Sequence, residues 1–374
     1  MKDEAQPERE RILCIRLSGL GDVVHALNAL SVLRAARPEA FIAWAVEERF
    51  GGLLRAHPYL DELIAIPRTA WGRMLRNPLR WPALIAQRRA LAARLATARW
   101  DASVDFQSSF KSSWLVRAAA APVRIGFGGA VNRERNRRVQ NRLVEVPSRG
   151  IHRIERDLAL LGPLGVAPEY ADAVLASEQD AGSFVRRVLA DSLTGGPVVV
   201  IHPGTSAAAA FKRWPPERYA AVGDGLVRER GADVVVTCGP GEGELAGRLL
   251  GAMAERRVFV PPDGGLMGLV ELLRRADLFI GSDTGPMHIA SALKRPVVAL
   301  FGPKDPVQTG PYGSRSVVVT ADVDCRPCTR RRCRHVRCML QIDAERVLAA
   351  ALAVLDGGGQ CAAERRSEGR SPNP

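Results

Sequence analysis

Two doubly wound α/β domains are the fold class this sequence predicts, and three observations carry it. Apolar segments of strand length alternate with stretches whose apolar residues recur at helical spacing, a pattern that calls for parallel strands covered on both faces. The alternation begins at Ile12 and restarts at Pro197, just after the turn signal Gly195-Gly196. The length, 374 residues against roughly 150 per domain, leaves room for two cores.

Taken in order, Ile12–Leu17 reads as a strand, and Gly19-Leu20-Gly21-Asp22 turns it into a helix over Val23–Ala36. Further strands are expected at Phe41–Val46, Leu63–Ile66 and Ala102–Phe106, with helices such as Trp81–Ala98 and Ser109–Ala120 between them. Pro197–Ile201 opens the second half, followed by a helix over Glu217–Glu229 and strands at Ala232–Thr237, Arg257–Val260, Leu278–Gly281 and Val297–Phe301. The hinge falls between Leu175 and Gly196, which gives an N-terminal domain over residues 1–180 and a C-terminal one over 190–356. Gly126–Arg149 carries Arg133, Arg135, Arg137, Arg138, Arg142 and Arg149 among few apolar residues and is expected as a basic loop. Residues 357–374, polar and Gly-rich, are expected as a disordered tail.

Composition narrows the function classes. Apolar residues are 47% and charged residues 25%, and Gly 35 with Pro 25 stays well below low-complexity content, so the chain is an ordinary globular one. No apolar run approaches the roughly 18 residues of a bilayer span, and the first eleven residues, rich in Glu and Arg, do not form a secretory signal. A cytoplasmic location is the expectation. Lys+Arg 53 against Asp+Glu 40 gives a net charge of +13, nearly all of it Arg, which favours an anionic partner. Seven cysteines in so long a chain point to thiols or metal ligands rather than a disulfide scaffold.

Two Gly-containing turns stand where a strand meets a helix N-terminus, a place whose N–H groups and dipole favour an anion. In the first, Ser18 to Asp22, a dinucleotide fingerprint would need glycine at position 24, where Val24 stands, so a nicotinamide enzyme is disfavoured. Asp22 suits either an N-cap or a carboxylate available as general base. The second, Gly281-Ser282-Asp283-Thr284-Gly285-Pro286-Met287-His288, offers a hydroxyl and backbone N–H groups that suit a diphosphate. Asp283 could instead serve as a cap there, and His288 as a satisfied helix histidine. Lys212 and Arg213 beside Trp214 fit either a phosphate site or a basic turn with the indole in the core.

Five segments in register carry a family resemblance: Gly19 to His25, Trp44 to Phe50, His202-Pro203-Gly204-Thr205, Lys212-Arg213-Trp214-Pro215 and Asp283 to His288. Together they resemble the family 9 glycosyltransferases, the ADP-heptose:lipopolysaccharide heptosyltransferases, over about Ile12 to Leu355. The resemblance implies a GT-B architecture, two Rossmann-like domains facing across a cleft, the N-terminal one taking the acceptor and the C-terminal one the nucleotide-sugar. It implies inverting transfer of heptose from ADP-heptose, with Asp22 as base. Around the donor it implies Thr205, Ser206, Lys212, Asp283, Thr284, Gly285 and His288, with Glu242 or Glu244 at the ribose. On the acceptor side it implies Ser18, Gly19 and Gly21, joined by Asp105, Gln107 and Lys111. The acceptor would be a phosphorylated lipid A precursor with acidic Kdo sugars at the inner membrane's inner face, met by the basic loop and by Arg73, Arg76 and Arg80. Other GT-B chemistries, an epimerase or transfer of another sugar to another acceptor, remain the alternative.

Asp322-Val323-Asp324 repeats the metal-binding pattern of GT-A transferases but lies far from the diphosphate loop, so metal-independent transfer is expected. Beside it, Cys325, Cys328, Cys333 and Cys338 have zinc-knuckle spacing with Cys in the third place, around His335. Six arginines, Arg326, Arg330, Arg331, Arg332, Arg334 and Arg337, lie among them, and a basic knuckle would suit RNA. No aromatic residue is there to stack on bases, so the cluster is read within a transferase as a structural zinc site, a redox-sensitive pair or four packed thiols, and no nucleic-acid partner is expected.

Overall fold

The computed structural model describes residues 9–131, 138–190, 192–328, 330 and 333–361. Contacts divide the chain into two units, Met1–Ala176 and Ser177–Pro374, and each builds its own sheet.

In the first unit β1 (Arg11–Ile15), α1 (Leu20–Ala36), β2 (Phe41–Glu47), α2 (Gly52–Arg55), β3 (Glu62–Ile66), α3 (Arg68–Leu75), α4 (Trp81–Thr97), β4 (Ala102–Asp105), α5 (Phe110–Ala119), β5 (Val123–Phe127), β6 (Arg142–Val144) and α6 (Arg153–Ala159) follow one another. The strands lie in the order β3-β2-β1-β4-β5-β6, all parallel. Ile12 to Ile15 of β1 are wholly buried, as a central parallel strand covered on both faces must be, which is why it reads as an unbroken apolar run. β1 pairs with β2 on one side and β4 on the other, so chain progression reverses there. The loops leaving β1 and β4 therefore open side by side at the carboxyl end of the sheet, where doubly wound folds bind ligands.

The stretch expected as a basic loop is only partly one. β5 ends inside it at Phe127, and Arg142–Val144 form β6. Arg124 interrupts the apolar run of β5 because its guanidinium is spent on the carbonyls of Val139 and Ala121. β6 is the sheet's edge, with Arg142 and Leu143 exposed, so no apolar alternation marks it. Arg138 and Arg149 are exposed, whereas Arg133, Arg135 and Arg137 lie outside the described residues.

The second unit runs α7 (Gln179–Leu189), β7 (Val198–His202), α8 (Pro216–Arg230), β8 (Asp233–Thr237), α9 (Gly243–Ala252), β9 (Val258–Val260), α10 (Gly265–Arg274), β10 (Leu278–Ser282), α11 (Gly285–Ala292), β11 (Val297–Phe301), α12 (Pro306–Thr309), β12 (Arg315–Thr320), α13 (Arg337–Leu340), α14 (Ala344–Leu355) and β13 (Gln360–Cys361). Its order, β13-β12-β11-β10-β7-β8-β9, repeats the first topology, with reversal between β7 and β10. Only β13 is antiparallel, and it adds residues 360 and 361, expected as tail, to the sheet edge. Residues 362–374 lie outside the described residues. The indole of Trp214 takes the core role: it is 1% exposed, meets Tyr219 edge-on at 4.7 Å, and donates to the Ile342 carbonyl at 3.1 Å. Among the described residues no helix is long and apolar enough to cross a membrane.

Candidate active site

At the carboxyl end of β1 the chain turns through Ser18 and Gly19 into α1. Gly19 has φ +87°, and a Cβ there would lie 2.4 Å from Asp22 Oδ2, so only glycine lets the carboxylate fold back over the turn. Gly19 itself is the cap position, and no side chain caps the helix. Asp22, free of capping, turns to two guanidiniums: Arg16 Nη2 lies 2.7 Å from Oδ2, and Arg153 Nη1 donates to Oδ1. Burial works against ionisation of Asp22, but the two arginines outweigh it and hold the carboxyl at about 2.

The loop after β4 braces this turn. Gln107 Oε1 accepts from Leu17 N at 2.9 Å and Ser18 N at 3.2 Å, while its Nε2 donates to Ser18 Oγ at 3.3 Å. Asp105, wholly buried, accepts from Ser108 N at 2.9 Å, Gln107 N at 3.1 Å, Ser112 Oγ at 2.8 Å and Gln140 Nε2 at 3.0 Å. Its carboxylate is thus committed to holding the loop, and burial still pushes it up to about 6. Lys111 is exposed in the first turn of α5.

Asp157 on α6 is a neighbour the sequence did not announce. Burial pushes its carboxyl up to about 7, with the Asp22 charge adding to the rise and Arg16, Arg153 and Arg156 opposing it. A carboxyl raised from its ordinary value binds a proton more tightly in the folded state, so its contribution to stability falls as pH rises from about 4 to about 7. Asp157→Asn is therefore expected to add little stability near pH 4 and progressively more up to pH 7, reaching at most about 4 kcal/mol and then levelling. Denaturant unfolding across that pH range checks this; a gain that does not change with pH would refute it.

In the second unit the loops after β7 and β10 hold the other motifs. Lys212 Nζ donates to Asp283 Oδ2 at 2.6 Å and to the Asp283 carbonyl at 3.0 Å, and His288 Nε2 lies 3.4 Å from Oδ1. Burial opposes the charge on Asp283, yet His288 and Lys212 together hold it well below the usual carboxylate range. Thr284 occupies the cap position of α11, but its hydroxyl donates to the Ser282 carbonyl at 3.2 Å and no side chain caps the helix. That arrangement leaves first-turn N–H groups, including that of Gly285, to a ligand. Thr205 is 1% exposed, its hydroxyl donating to Ala209 O at 3.1 Å and accepting from Arg213 Nε at 3.1 Å, while Ser206 is exposed.

The structure separates the two glutamates that the sequence left open. Glu242 folds back to accept from Gly239 N at 2.8 Å and approach His202 Nε2 at 3.4 Å. A Cβ on Gly204 would fall 1.9 Å from Glu242 Oε2, which is why glycine stands there. Burial raises the Glu242 carboxyl less than His202, Gly239 N and Arg213 lower it. Glu244 is exposed in the first turn of α9.

Both sets of motifs therefore sit at the reversal points of their sheets. The model of the family "Glycosyltransferase family 9 (heptosyltransferase)" matches residues 88–338. The chain belongs to glycosyltransferase family 9. Its sequence is 30% identical to lipopolysaccharide heptosyltransferase 1 of Pseudomonas aeruginosa over 87% of this chain and 88% of that one. It is 29% identical to lipopolysaccharide heptosyltransferase 3 of Escherichia coli K12, covering 88% and 94%. Among solved structures, ADP-heptose lps heptosyltransferase II of E. coli superposes with a TM-score of 0.73 at 23% identity over 93% of this chain and 99% of that one. E. coli heptosyltransferase WaaC with ADP gives 0.69 at 27%, covering 90% and 97%. The repeated strand order is thus the GT-B architecture, and this family 9 member is a glycosyltransferase.

The zinc-knuckle expectation gains no support from the described residues. Among the described residues no three or more His, Cys, Asp or Glu side chains are grouped to hold a metal ion. Cys338 is buried in the core beneath Gly302, its thiol raised by burial, whereas Cys325 and Cys333 are exposed and Cys328 accepts from Arg330 N at 3.4 Å. The Cys338 thiol is raised further by Cys325 and Cys333, so both lie within electrostatic reach of it although they differ from it in exposure. Arg331 and Arg332 lie outside the described residues. What the sequence did not reveal is the pairing of Arg153 with Asp22 across 131 positions and of His202 with Glu242. Arg16 alone left a signal, a cation at the end of a buried strand.

Proposed function

We propose that this glycosyltransferase moves a heptose from ADP-heptose, with inversion and without a metal, to a lipopolysaccharide inner-core acceptor of the Kdo-lipid A type. The first unit takes the anionic glycolipid at the cytoplasmic face of a membrane; the second, over residues 190–356, takes the nucleotide-sugar. The observation that carries the reading is Asp22, ionised and uncapped on a glycine-only turn at the β1/β4 reversal, in a chain whose relatives are named lipopolysaccharide heptosyltransferases. Asp22 accepts the proton of the acceptor hydroxyl as that oxygen bonds to the anomeric carbon, and the bond from that carbon to the diphosphate breaks with its electron pair leaving on ADP.

A carboxyl near 2 is a weak base, and this chemistry needs no stronger one. In an oxocarbenium-like transition state the attacking oxygen loses its proton late, when it has become almost an oxonium and is far more acidic than Asp22. Arg16 and Arg153 keep the carboxylate ionised and aimed, and each oxygen keeps lone-pair sites for the hydroxyl. Lys212 and the N–H groups at the start of α11 stabilise charge growing on the leaving diphosphate. Ser206, Thr205 and His288 complete the donor pocket, Glu242 takes the ribose, and Ser18, Gly21 and Gln107 face the acceptor.

ADP release from ADP-heptose, followed in chelator with and without Kdo-lipid A, tests the whole. Release that requires the acceptor and survives the chelator is expected. Donor binding without acceptor-dependent release would move the acceptor elsewhere, and loss of turnover on chelation would overturn metal independence.

A further inference from the structure

One corner of the first unit is dressed for a surface that is both apolar and anionic. Of the nine large hydrophobic side chains exposed among the described residues, four fall between residues 75 and 85: Leu75 at 62%, Leu79 at 90%, Trp81 at 48% and Ile85 at 49%. They occupy the end of α3, the turn after it and the start of α4, where Trp81 Nε1 donates to the Leu75 carbonyl at 3.1 Å and ties the two helices' ends together. From Leu63 to Trp100 the chain holds eight arginines and no Asp or Glu. Arg68 and Arg94 are paired, with Glu47 and Glu62, while Arg73, Arg76, Arg80 and Arg89 make no ion pair among the described residues. A groove of about 370 Å³ in the same segment is lined by Ala70, Arg73, Met74, Asn77 and Arg80.

Exposed aliphatic side chains gain nothing from water, and four so close together exceed scattered exposure. Unpaired guanidiniums interleaved with them seek phosphate at the same depth. A nucleic acid would use the cations and leave Leu75, Leu79 and Ile85 idle, whereas an anionic bilayer uses both, taking the apolar chains into its acyl boundary and the arginines at its headgroups.

We infer that the α3–α4 corner is a membrane-docking surface, with Leu75, Leu79, Trp81 and Ile85 entering an anionic bilayer and Arg73, Arg76 and Arg80 meeting its lipid phosphates. The inference rests on the proposed glycolipid acceptor only for the reason a bilayer is visited. Co-sedimentation of the full chain with phosphatidylcholine vesicles, with and without phosphatidylglycerol, tests it in the absence of any nucleotide or sugar, so failure here is separable from failure of transfer. Binding is expected to the anionic vesicles, at least about tenfold over the neutral ones, and to weaken with salt. Arg73→Gln/Arg76→Gln/Arg80→Gln is expected to weaken it by about fivefold per arginine. Leu79→Ser/Ile85→Ser, changing only exposed side chains, is expected to weaken it by at least about tenfold. Equal binding to both vesicles, insensitivity to either set of substitutions, or displacement of the vesicles by a polynucleotide would overturn the inference.

Discussion

Asp22→Asn is expected to lower kcat for sugar transfer by about 10²- to 10⁴-fold while the dissociation constant for ADP-heptose stays within about twofold. The substitution keeps the side chain's shape over the Gly19 turn and removes the lone pair that takes the acceptor proton, so chemistry is lost and donor binding is not. Single-turnover transfer beside donor titration makes the check; full activity in the variant would remove Asp22 from the mechanism. The pH profile sharpens it. With the carboxyl held at about 2, Asp22 contributes no acid limb between pH 8 and about 4. Removing one guanidinium, by Arg153→Ala, lets the carboxyl rise toward its ordinary value of 3.8 and brings the onset of an acid limb to the lower edge of that window, with activity falling as pH drops below about 5. A profile unchanged in Arg153→Ala would mean that Asp22 is not the group whose ionisation matters.

The second large effect belongs to Lys212. Lys212→Ala is expected to reduce kcat by about 10²- to 10³-fold, the usual loss when one preorganised partner of a developing oxyanion is removed. It also strips a buried carboxylate, Asp283, of one of its two partners, leaving His288 beside it, which costs up to about 3 kcal/mol of stability. The two effects separate in the double variant Lys212→Ala/Asp283→Asn, which no longer buries that carboxylate's charge. Thermal stability is expected to return in the double variant and kcat is not. Recovery of both would make Lys212 a structural residue only.

Much of the scaffold was legible locally. β1, β2, β7 and β11 are apolar runs because both faces of a parallel strand are covered, and their bounds, like those of β4, agree with the segments read from sequence to within a residue or two. β5, β6 and β12 were not legible, since Arg124 and Arg142 serve an edge and a loop brace, and Arg315–Thr320 lies beside the short β13. The motifs left Asp22 and Asp283 open between capping and chemistry, with capping the more ordinary role. Both helices turn out to be uncapped by side chains, which is a matter of rotamer and partner rather than of composition.

The sequence by itself determined the alternation of strands and helices, its restart in the second half, the two Gly-containing turns and the family, because each of these is written in neighbours a few residues apart. Only the tertiary structure decided which strand lies beside which, that Glu242 and not Glu244 folds over Gly204, and that Cys338 is buried in the core while Cys325 and Cys333 are exposed. It alone gave Asp22 the guanidinium of Arg153 and left Leu79 in water. Those outcomes depend on groups brought together from distant positions by packing, and on which side chains packing leaves uncovered, so no local pattern records them.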